Sequence, residues 1–223
     1  MKPAPFLYVA PGTVEEALGV LKEHGADAKV LAGGQSLVPM MNLRLARPGV
    51  LVDLNRISGQ DGVRDGNFEV AIGFLTRQRA FETSPGLADR LPLLAEAISF
   101  IGHPAIRSRG TIAGSIAHAD PAAEIPAVAT VLDAEIVVRS ENKTRVIAAQ
   151  DFFIDLFTTA LEPTEIVVEI RIPRRDAQGT AFLEVARRHG DFALVGVATT
   201  LAVSRDGTIE RASIALSGVA GTP

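Results

Sequence analysis

Two glycine-rich segments, far apart in the sequence, constrain the fold of this chain more than any other feature. The first is Ala32-Gly33-Gly34-Gln35-Ser36, directly after the apolar pair Val30-Leu31, and the second is Gly110-Thr111-Ile112-Ala113-Gly114-Ser115. Glycine permits a positive φ and lets backbone N–H groups approach a ligand, so consecutive amides can form an anion-binding nest. Either segment alone is more typical of a structural turn. Together they could hold the two phosphates of one dinucleotide from opposite sides.

The better known phosphate-binding motifs do not account for these segments. The sequence has no G-x-G-x-x-G pattern that opens a helix, and no lysine follows the glycines as a P-loop requires. The dinucleotide fingerprint of a doubly wound sheet and the P-loop are therefore both excluded.

The first third of the chain alternates helix and strand patterns. Thr13-Val14-Glu15-Glu16 has capping-box spacing, and Gly25 provides a left-handed stop, which together predict a helix over residues 13–24. Apolar runs predict strands over residues 29–31 and 50–54, with a short helix or turn over residues 37–45 between them. The N-terminal part is thus predicted to be a small α/β unit.

The middle of the chain carries hairpin and helix patterns in mixed order. Asp65-Gly66 predicts a tight turn between two short strands, and residues 135–138 and 145–148 predict a second hairpin. Helices are expected over residues 76–82 and 91–100, and a strand over residues 165–172 that stops at Pro173. We also expect Pro126 to interrupt a helix. This part reads as α+β.

The polar segment 174–179 is a plausible domain boundary, and three strand patterns follow it. They cover residues 181–185, 194–203 and 209–216, and Asp206-Gly207 turns the last pair. A three-stranded sheet with an apolar face needs something packed on that face. We find no segment after residue 216 that could supply it, and therefore expect a longer polypeptide or a C-terminal lobe covered by a partner.

Composition excludes several functions. The chain has 223 residues, 22 Lys and Arg against 26 Asp and Glu, a net charge of -4 and no cysteine. Without thiolates these residues cannot form disulfides or bind iron–sulfur clusters and Cys-ligated zinc. The absence of a basic run argues against nucleic acid or an anionic membrane as the partner. Apolar stretches are too short to span a bilayer and no basic-then-apolar leader is present, so we expect a cytoplasmic protein without an integral membrane segment.

Four segments carry a resemblance to a known family. The strings Lys29-Val30-Leu31-Ala32-Gly33-Gly34-Gln35-Ser36-Leu37 and Gly110-Thr111-Ile112-Ala113-Gly114-Ser115-Ile116-Ala117-His118-Ala119-Asp120-Pro121-Ala122-Ala123-Glu124 resemble signatures of the FAD-binding medium subunit of molybdenum hydroxylases. This family includes the carbon-monoxide dehydrogenase medium subunit and the flavin domain of xanthine dehydrogenase. The strand at residues 165–173 and the segment at residues 186–193 are similar as well.

The resemblance implies a fold and a domain division. The expected fold is α+β, a two-lobed FAD-binding fold of the vanillyl-alcohol-oxidase type plus a C-terminal three-stranded antiparallel sheet domain that is incomplete here. The expected domains are FAD-binding lobe 1 over residues 1–56, FAD-binding lobe 2 over residues 57–173 and the C-terminal domain over residues 178–223.

The resemblance also implies where FAD is held. Residues 32–36 and 111–115 would hold the pyrophosphate, Ile101 and Leu161 would be apolar contacts near the isoalloxazine, and Glu124 an acidic FAD contact. His118 and Asp120 fall in the same flavin-side loop. No catalytic or metal-binding residue is implied. The full set of implied FAD residues is Lys29, Val30, Leu31, Ala32, Gly33, Gly34, Gln35, Ser36, Ile101, Thr111, Ala113, Gly114, Ser115, His118, Asp120, Glu124 and Leu161.

Two features leave alternatives open. Some relatives carry a lysine near Leu183-Glu184 that can approach the flavin; this chain has none there, and Arg187 is the nearest cationic substitute. His118, Asp120 and Glu124 lie within a short stretch and could suggest a metal site or an acid–base cluster. The turn expected at Asp120 and the break expected at Pro126 indicate that the three side chains need not converge.

The function implied by the resemblance is electron transfer. In such enzymes a large subunit hydroxylates the substrate at a molybdopterin centre, and electrons pass through two [2Fe–2S] clusters on a small subunit to FAD on the medium subunit and on to an external acceptor. The expected assembly is a dimer of heterotrimers.

Two other hypotheses remain: a self-contained flavoenzyme of the same fold, and a subunit that has lost its flavin and only scaffolds assembly. A branched side chain at Gly34 is expected to stand between the loop amides and the pyrophosphate.

Overall fold

The computed structural model describes residues 2–175 and 178–223. Of the predicted boundary segment 174–179, Asp176 and Ala177 lie outside the described residues. The described elements form an N-terminal parallel sheet, a central antiparallel sheet with helices, and a C-terminal antiparallel sheet.

The N-terminal sheet has three parallel strands in the order β1-β3-β2. Its elements are β1 Leu7–Val9, α1 Val14–His24, β2 Ala28–Leu31, α2 Leu37–Asn42 and β3 Val50–Asp53, with 3-10 turns at Gly25–Asp27 and Leu54–Arg56. The predicted helix is confirmed and Thr13 caps it, because the Thr13 hydroxyl accepts from the Glu16 amide. The Glu16 carboxylate accepts from the Gly12 amide, one residue before the N-cap, and not from Thr13 as in a full capping box. Parallel strands place the ends of β2 and β3 side by side, with Leu31 opposite Asp53.

The central sheet is antiparallel with strand order β4-β5-β10-β6-β7. Both predicted hairpins are present, as β4 with β5 and as β6 with β7. Two short strands, β8 and β9, form a separate pair. The elements in chain order are β4 Val63–Asp65, β5 Glu69–Gly73, α3 Arg79–Thr83, α4 Pro85–Arg90, α5 Pro92–Ile98, α6 Pro104–Arg107, α7 Ile112–His118, α8 Glu124–Val131, β6 Glu135–Arg139, β7 Thr144–Ala148, α9 Ala149–Phe152, β8 Phe153–Asp155, β9 Thr158–Thr159 and β10 Ile166–Pro173.

The C-terminal sheet consists of β11 Gln178–Ala186, β12 Ala193–Val203 and β13 Ile209–Ser217, all antiparallel. One face packs on α5 and α8 of the central part and buries Phe182, Ala198 and Ala215. The opposite face leaves apolar side chains exposed, with Leu183 at 70% and Ile214 at 69%. An exposed apolar face was expected from the sequence; the packing of the other face on the central helices was not.

Two local predictions in the central part are wrong. Helix α3 begins at Arg79 rather than at Thr76, because residues 76–78 pair with residues 110–112 of the second glycine segment. Pro126 does not interrupt a helix but lies inside α8, in its first turn. A proline is tolerated there because the first N–H groups of a helix have no acceptor within it.

Candidate functional site

The first glycine-rich segment, residues 32–36, is a loop at the carboxyl end of β2. Gly34 has a φ of +73°, which glycine adopts without strain. The Gln35 side chain folds back so that its Nε2 donates to the Gly33 carbonyl at 3.0 Å. Helix α2 follows directly, with the Val38 amide donating to the Gly34 carbonyl. The loop therefore turns the chain sharply from strand into helix.

The second segment, residues 110–115, leads from an extended bridge into α7. The Gln78 amide donates to the Gly110 carbonyl at 2.9 Å, and the Ile112 amide donates to the Thr76 carbonyl at 3.1 Å. Thr111 is buried and caps α7, since its hydroxyl accepts from the Gly114 amide at 3.0 Å. This loop is thus fixed from both sides before its helix begins.

The two loops touch each other at Gly33. A Cβ built on Gly33 would lie 2.5 Å from the Arg109 carbonyl oxygen and 2.8 Å from the Gly110 Cα. Only a residue without a side chain allows this approach of two backbones. The structure therefore brings together the two segments that the sequence places far apart.

Several loop amides have no protein acceptor. In the described part of the chain, the backbone N–H groups of residues 34–37 and of Ala113 donate to no carbonyl or side chain. Adjacent free amides beside glycine make a site for an anion such as a phosphate. This donor set fits the pyrophosphate of a dinucleotide.

A polar network that the sequence did not predict lies at the same sheet edge. Tyr8 Oη donates to Asp53 Oδ2 at 2.5 Å, and Asn55 Nδ2 donates both to Asp53 Oδ1 at 2.5 Å and to the Ala32 carbonyl at 2.8 Å. Arg77 then donates from Nη2 to Asn55 Oδ1 at 2.5 Å. The signal available in the sequence was Asp53, a polar residue at the end of a buried strand. Parallel strands end at one edge of a sheet, and ligands in open α/β sheets bind outside that edge.

Hydrogen bonds stabilise the ionised carboxylate of Asp53 in this network. Burial alone would raise the pKa of Asp53, but the hydrogen bonds from Tyr8 and Asn55, together with the charge of Arg109, hold it below its ordinary value. The Asp53 hydrogen bond in turn raises the pKa of the Tyr8 phenol. Asp53 is therefore ionised at neutral pH and orients the amide of Asn55 toward the first loop.

Ile101 and Leu161 lie in turns that are held by their own neighbours. The Ile101 carbonyl accepts from Arg107 Nη1 at 2.7 Å, and the Leu161 amide donates to Thr159 Oγ1 at 3.2 Å. Both side chains are partly buried against the core. Neither of these two hydrogen bonds joins Ile101 or Leu161 to residues 32–36 or 110–115.

His118, Asp120 and Glu124 span the end of α7 and the start of α8. The His118 ring packs against Phe157 at 5.1 Å between centroids, and burial lowers the pKa of His118. Asp120 Oδ1 accepts from the Ala122 amide at 3.0 Å. Within residues 2–175 and 178–223, no group of three His, Cys, Asp or Glu side chains is arranged to hold a metal ion.

Glu124 is the most perturbed acid in this stretch. It is 8% exposed and is the first residue of α8. Burial raises its pKa to about 8, and the charges of Glu184 and Asp120 add smaller increases. Glu124 therefore carries a proton at neutral pH and can donate a hydrogen bond.

The other residues assigned to FAD lie within or beside the two loops. Lys29, Val30 and Leu31 belong to β2, where Lys29 is exposed and the two apolar residues are partly buried. In the second loop Ala113 is buried, whereas Gly114 and Ser115 are partly buried. In the first loop Ser36 is exposed and Ala32 is partly buried.

A cavity lies beside Glu184 and the segment that follows it. Arg187 lines it together with Phe100, Glu184 and His189, and the volume is about 290 Å³. Burial raises the pKa of Glu184. Arg188 lines the same cavity, so two arginines border it together with Glu184, an acid whose ionisation burial disfavours.

Comparison with known proteins defines the class of this chain. Residues 4–175 match the FAD binding domain in molybdopterin dehydrogenase, and residues 180–223 match the CO dehydrogenase flavoprotein C-terminal domain. The fold is therefore that of a flavoprotein subunit of an oxidoreductase. The chain belongs to the family of FAD-binding medium subunits of molybdenum hydroxylases.

Individual relatives support the same assignment along the whole chain. The chain is 44% identical to the 6-hydroxypseudooxynicotine dehydrogenase complex subunit alpha of Paenarthrobacter nicotinovorans, covering 100% of this chain and 75% of the relative. It is 43% identical to the carbon monoxide dehydrogenase medium chain of Hydrogenophaga pseudoflava, covering 100% and 77%.

Solved structures agree with the fold. A carbon monoxide dehydrogenase chain from Hydrogenophaga pseudoflava matches with a TM-score of 0.95 at 43% identity, over 100% of this chain and 77% of that one. Quinoline 2-oxidoreductase from Pseudomonas putida matches with a TM-score of 0.94 at 36% identity, over 100% and 77%. Among the described residues, no helix has the length and apolar character needed to cross a membrane.

Proposed function

We propose that this subunit carries electrons through FAD, from two [2Fe–2S] clusters on a small partner subunit to an external acceptor. The substrate would be oxidised at a molybdopterin centre on a large partner subunit. The observation that supports this most is the meeting of residues 32–36 with residues 110–115 within an FAD-binding domain, where both segments carry amides without a protein acceptor.

The proposed roles of individual residues follow from that site. The amides of residues 34–37 and Ala113 bind the pyrophosphate, Ile101 and Leu161 contact the isoalloxazine, and protonated Glu124 donates to an acceptor on the cofactor. Bound FAD supplies a redox centre that exchanges electrons singly or in pairs. The chain binds and orients this cofactor and excludes water around it. His118 and Asp120 border the same region.

The proposed partners rest on composition and on the relatives. The 223 residues contain no cysteine and cannot themselves hold a thiolate-bound cluster, which is in keeping with clusters on a small partner subunit. Relatives are named as a medium chain and as subunits of dehydrogenases, including the caffeine dehydrogenase subunit beta of a Pseudomonas species at 41% identity. We propose a dimer of heterotrimers with the large and small subunits.

The proposed domain division is residues 1–56, 57–173 and 178–223. Each range contains one main sheet, and the described strands do not cross from one range to another. The first two ranges contribute one glycine loop each, so that FAD would be bound between them.

A spectral titration tests the proposal directly. We expect the purified chain to bind FAD with the flavin absorption band near ~450 nm shifted and structured relative to free FAD. Absence of binding would refute the flavin function. Co-expression with the large and small subunits should then give a complex in which substrate reduces the flavin. Substrate turnover by this chain alone would instead support a self-contained flavoenzyme.

A further inference from the structure

Arg77 lies beside the second glycine loop and is linked to the first through Asn55. Its Nη1 donates to the Arg109 carbonyl at 2.5 Å, directly before the second loop. Its Nη2 donates to Asn55 Oδ1 at 2.5 Å, and Asn55 Nδ2 reaches the Ala32 carbonyl of the first loop at 2.8 Å. One guanidinium and one amide thus form a continuous hydrogen-bonded link from loop to loop.

The Arg109 carbonyl oxygen has a second role in this link. It is the atom that approaches Gly33 most closely, at 2.5 Å from the position of a Cβ. Arg77 therefore binds the second loop at the point where it contacts the first. The backbone of Arg77 is paired with Thr111 as well, so the side chain starts from a fixed position.

The chemistry of this position suits arginine and not lysine. A guanidinium is planar and offers donors in a fixed fork, whereas an ammonium is a single point on a flexible stem. The side chain is partly buried, and burial lowers the pKa of Arg77, with the neighbouring charge of Arg109 acting in the same direction. Hydrogen bonds to a charged group in such surroundings are stronger than those at an open surface.

We propose that Arg77, acting through Asn55, is a positioning residue that sets the spacing of the two loops and thereby the affinity for a diphosphate-containing flavin. Its side chain donates to the backbone carbonyl of Arg109 and to the side chain of Asn55. The inference rests on the proposed function, because it assumes that the two loops hold the pyrophosphate of FAD.

The test compares FAD with FMN on the full chain freed of flavin. FAD carries a diphosphate that spans both loops, whereas FMN carries one terminal phosphate that can engage only one of them. We expect Arg77→Gln to weaken FAD binding about tenfold or more, because a charged hydrogen bond is lost. FMN binding should change much less, so the ratio of the two affinities falls. Equal losses for FAD and FMN would show general damage and overturn the positioning role.

Further variants test the relay and the geometry. Asn55→Ala alone should lower FAD affinity to a similar extent, and the Arg77→Gln/Asn55→Ala double variant should bind little worse than either single one. If the losses of FAD affinity in the two single variants add up in the double variant, Arg77 does not act through Asn55. Arg77→Lys should fail to restore the affinity, and full restoration would contradict the fork geometry. Arg79→Gln, on the exposed start of α3, is the matched control and should bind FAD as the wild type does.

The failure of this inference is distinguishable from failure of the proposed function. If the unaltered chain does not bind FAD, the proposed function is wrong. If it binds FAD and the Arg77 variants bind equally well, the positioning role alone is wrong. Thermal unfolding of each flavin-free variant separates folded proteins with altered loops from proteins that do not fold.

Discussion

The backbone carbonyl oxygen of Arg109 occupies the space where a side chain at Gly33 would begin, 2.5 Å from the ideal Cβ position. Arg109 precedes the second glycine loop and Gly33 lies in the first. Because the clash is with backbone and not with the end of a flexible side chain, it cannot be relieved by a rotamer change. The two loops can therefore lie this close only because residue 33 has no Cβ.

We expect Gly33→Ala to push the loops apart and to weaken FAD binding by at least about tenfold, as small displacements of ligand-binding amides reduce affinity strongly. Flavin titration measures the effect. Gly19→Ala, inside α1 with nothing within 4 Å of the new Cβ, is the control. It should leave affinity unchanged and stabilise the helix by roughly 0.5–1 kcal/mol. Equal FAD affinity in both variants would contradict the close contact of the loops.

Gly34 limits substitution for a different reason. The sequence suggested that a branched side chain would shield the loop amides, but a Cβ here would point at Leu31 Cδ1 and Val38 Cγ2, at 2.9 and 3.2 Å. The φ of +73° adds backbone strain for any branched residue. Gly34→Val should therefore distort the loop and abolish detectable FAD binding.

The matched control for that variant is Gly25→Val. Gly25 also has a positive φ, +52°, but nothing lies within 4 Å of its Cβ position. Both variants should lose roughly 1–3 kcal/mol of stability from backbone strain, and only the change at Gly34 should remove the flavin. Retained flavin in Gly34→Val, measured by the visible spectrum, would exclude the first loop from the binding site.

Local sequence patterns predicted most of the secondary structure but not the long-range contacts. The helix capped by Thr13 and the hairpin at Asp65-Gly66 depend on neighbouring residues, and both are confirmed. The three-residue strand β1 is too short to give a periodic pattern, and it forms through pairing with β3. Thr76 was predicted to be helical because local propensity cannot register a bridge to a segment more than 30 residues later.

In the candidate site, too, local features were predicted from the sequence and long-range contacts were not. Glycine content identified both loops, because a close backbone approach requires that residue type. Asn55 and Arg77 were missed, since polar side chains in turns have many possible partners and the relation between these two depends on the pairing of separate sheets. The raised pKa of Glu124 was also missed, because its main cause is burial in the folded chain, which local sequence does not determine.

Glu124 should make stability depend on pH in a defined direction. Its folded-state pKa, about 8, is raised above the ordinary value of 4.5, mainly by burial. The stability gained from keeping it protonated is therefore complete below pH 4.5 and is lost as the pH rises through about 8. Glu124→Gln removes this dependence, because a neutral amide has nothing to ionise.

Urea unfolding of flavin-free protein at several pH values measures this effect. Relative to Glu124→Gln, the wild type should lose on the order of 4 kcal/mol between pH 5 and pH 9. Burial raises the pKa of Glu184 as well, so both proteins share that part of the slope and the difference isolates Glu124. Parallel stability curves for the two proteins would show that Glu124 is not protonated in the folded state.

Arg107 fixes the turn that contains Ile101. Its side chain is 7% exposed and forms an ion pair with Glu82 at 2.7 Å, while Nη1 donates to the carbonyls of Ile101 and Gly102 at 2.7 and 3.1 Å. Arg107→Leu would leave a carboxylate and two carbonyls without their donor. Breaking a buried pair in this way should cost about 3 kcal/mol of unfolding free energy.

The exposed pair of Arg188 and Asp191 offers a matched comparison, since Arg188→Leu should change stability by less than about 0.5 kcal/mol. Urea unfolding of the three proteins measures both effects, and equal midpoints for Arg107→Leu and the wild type would contradict the structural role of this arginine. Because the Ile101 turn loses its support, any flavin bound by Arg107→Leu should also show an altered visible spectrum.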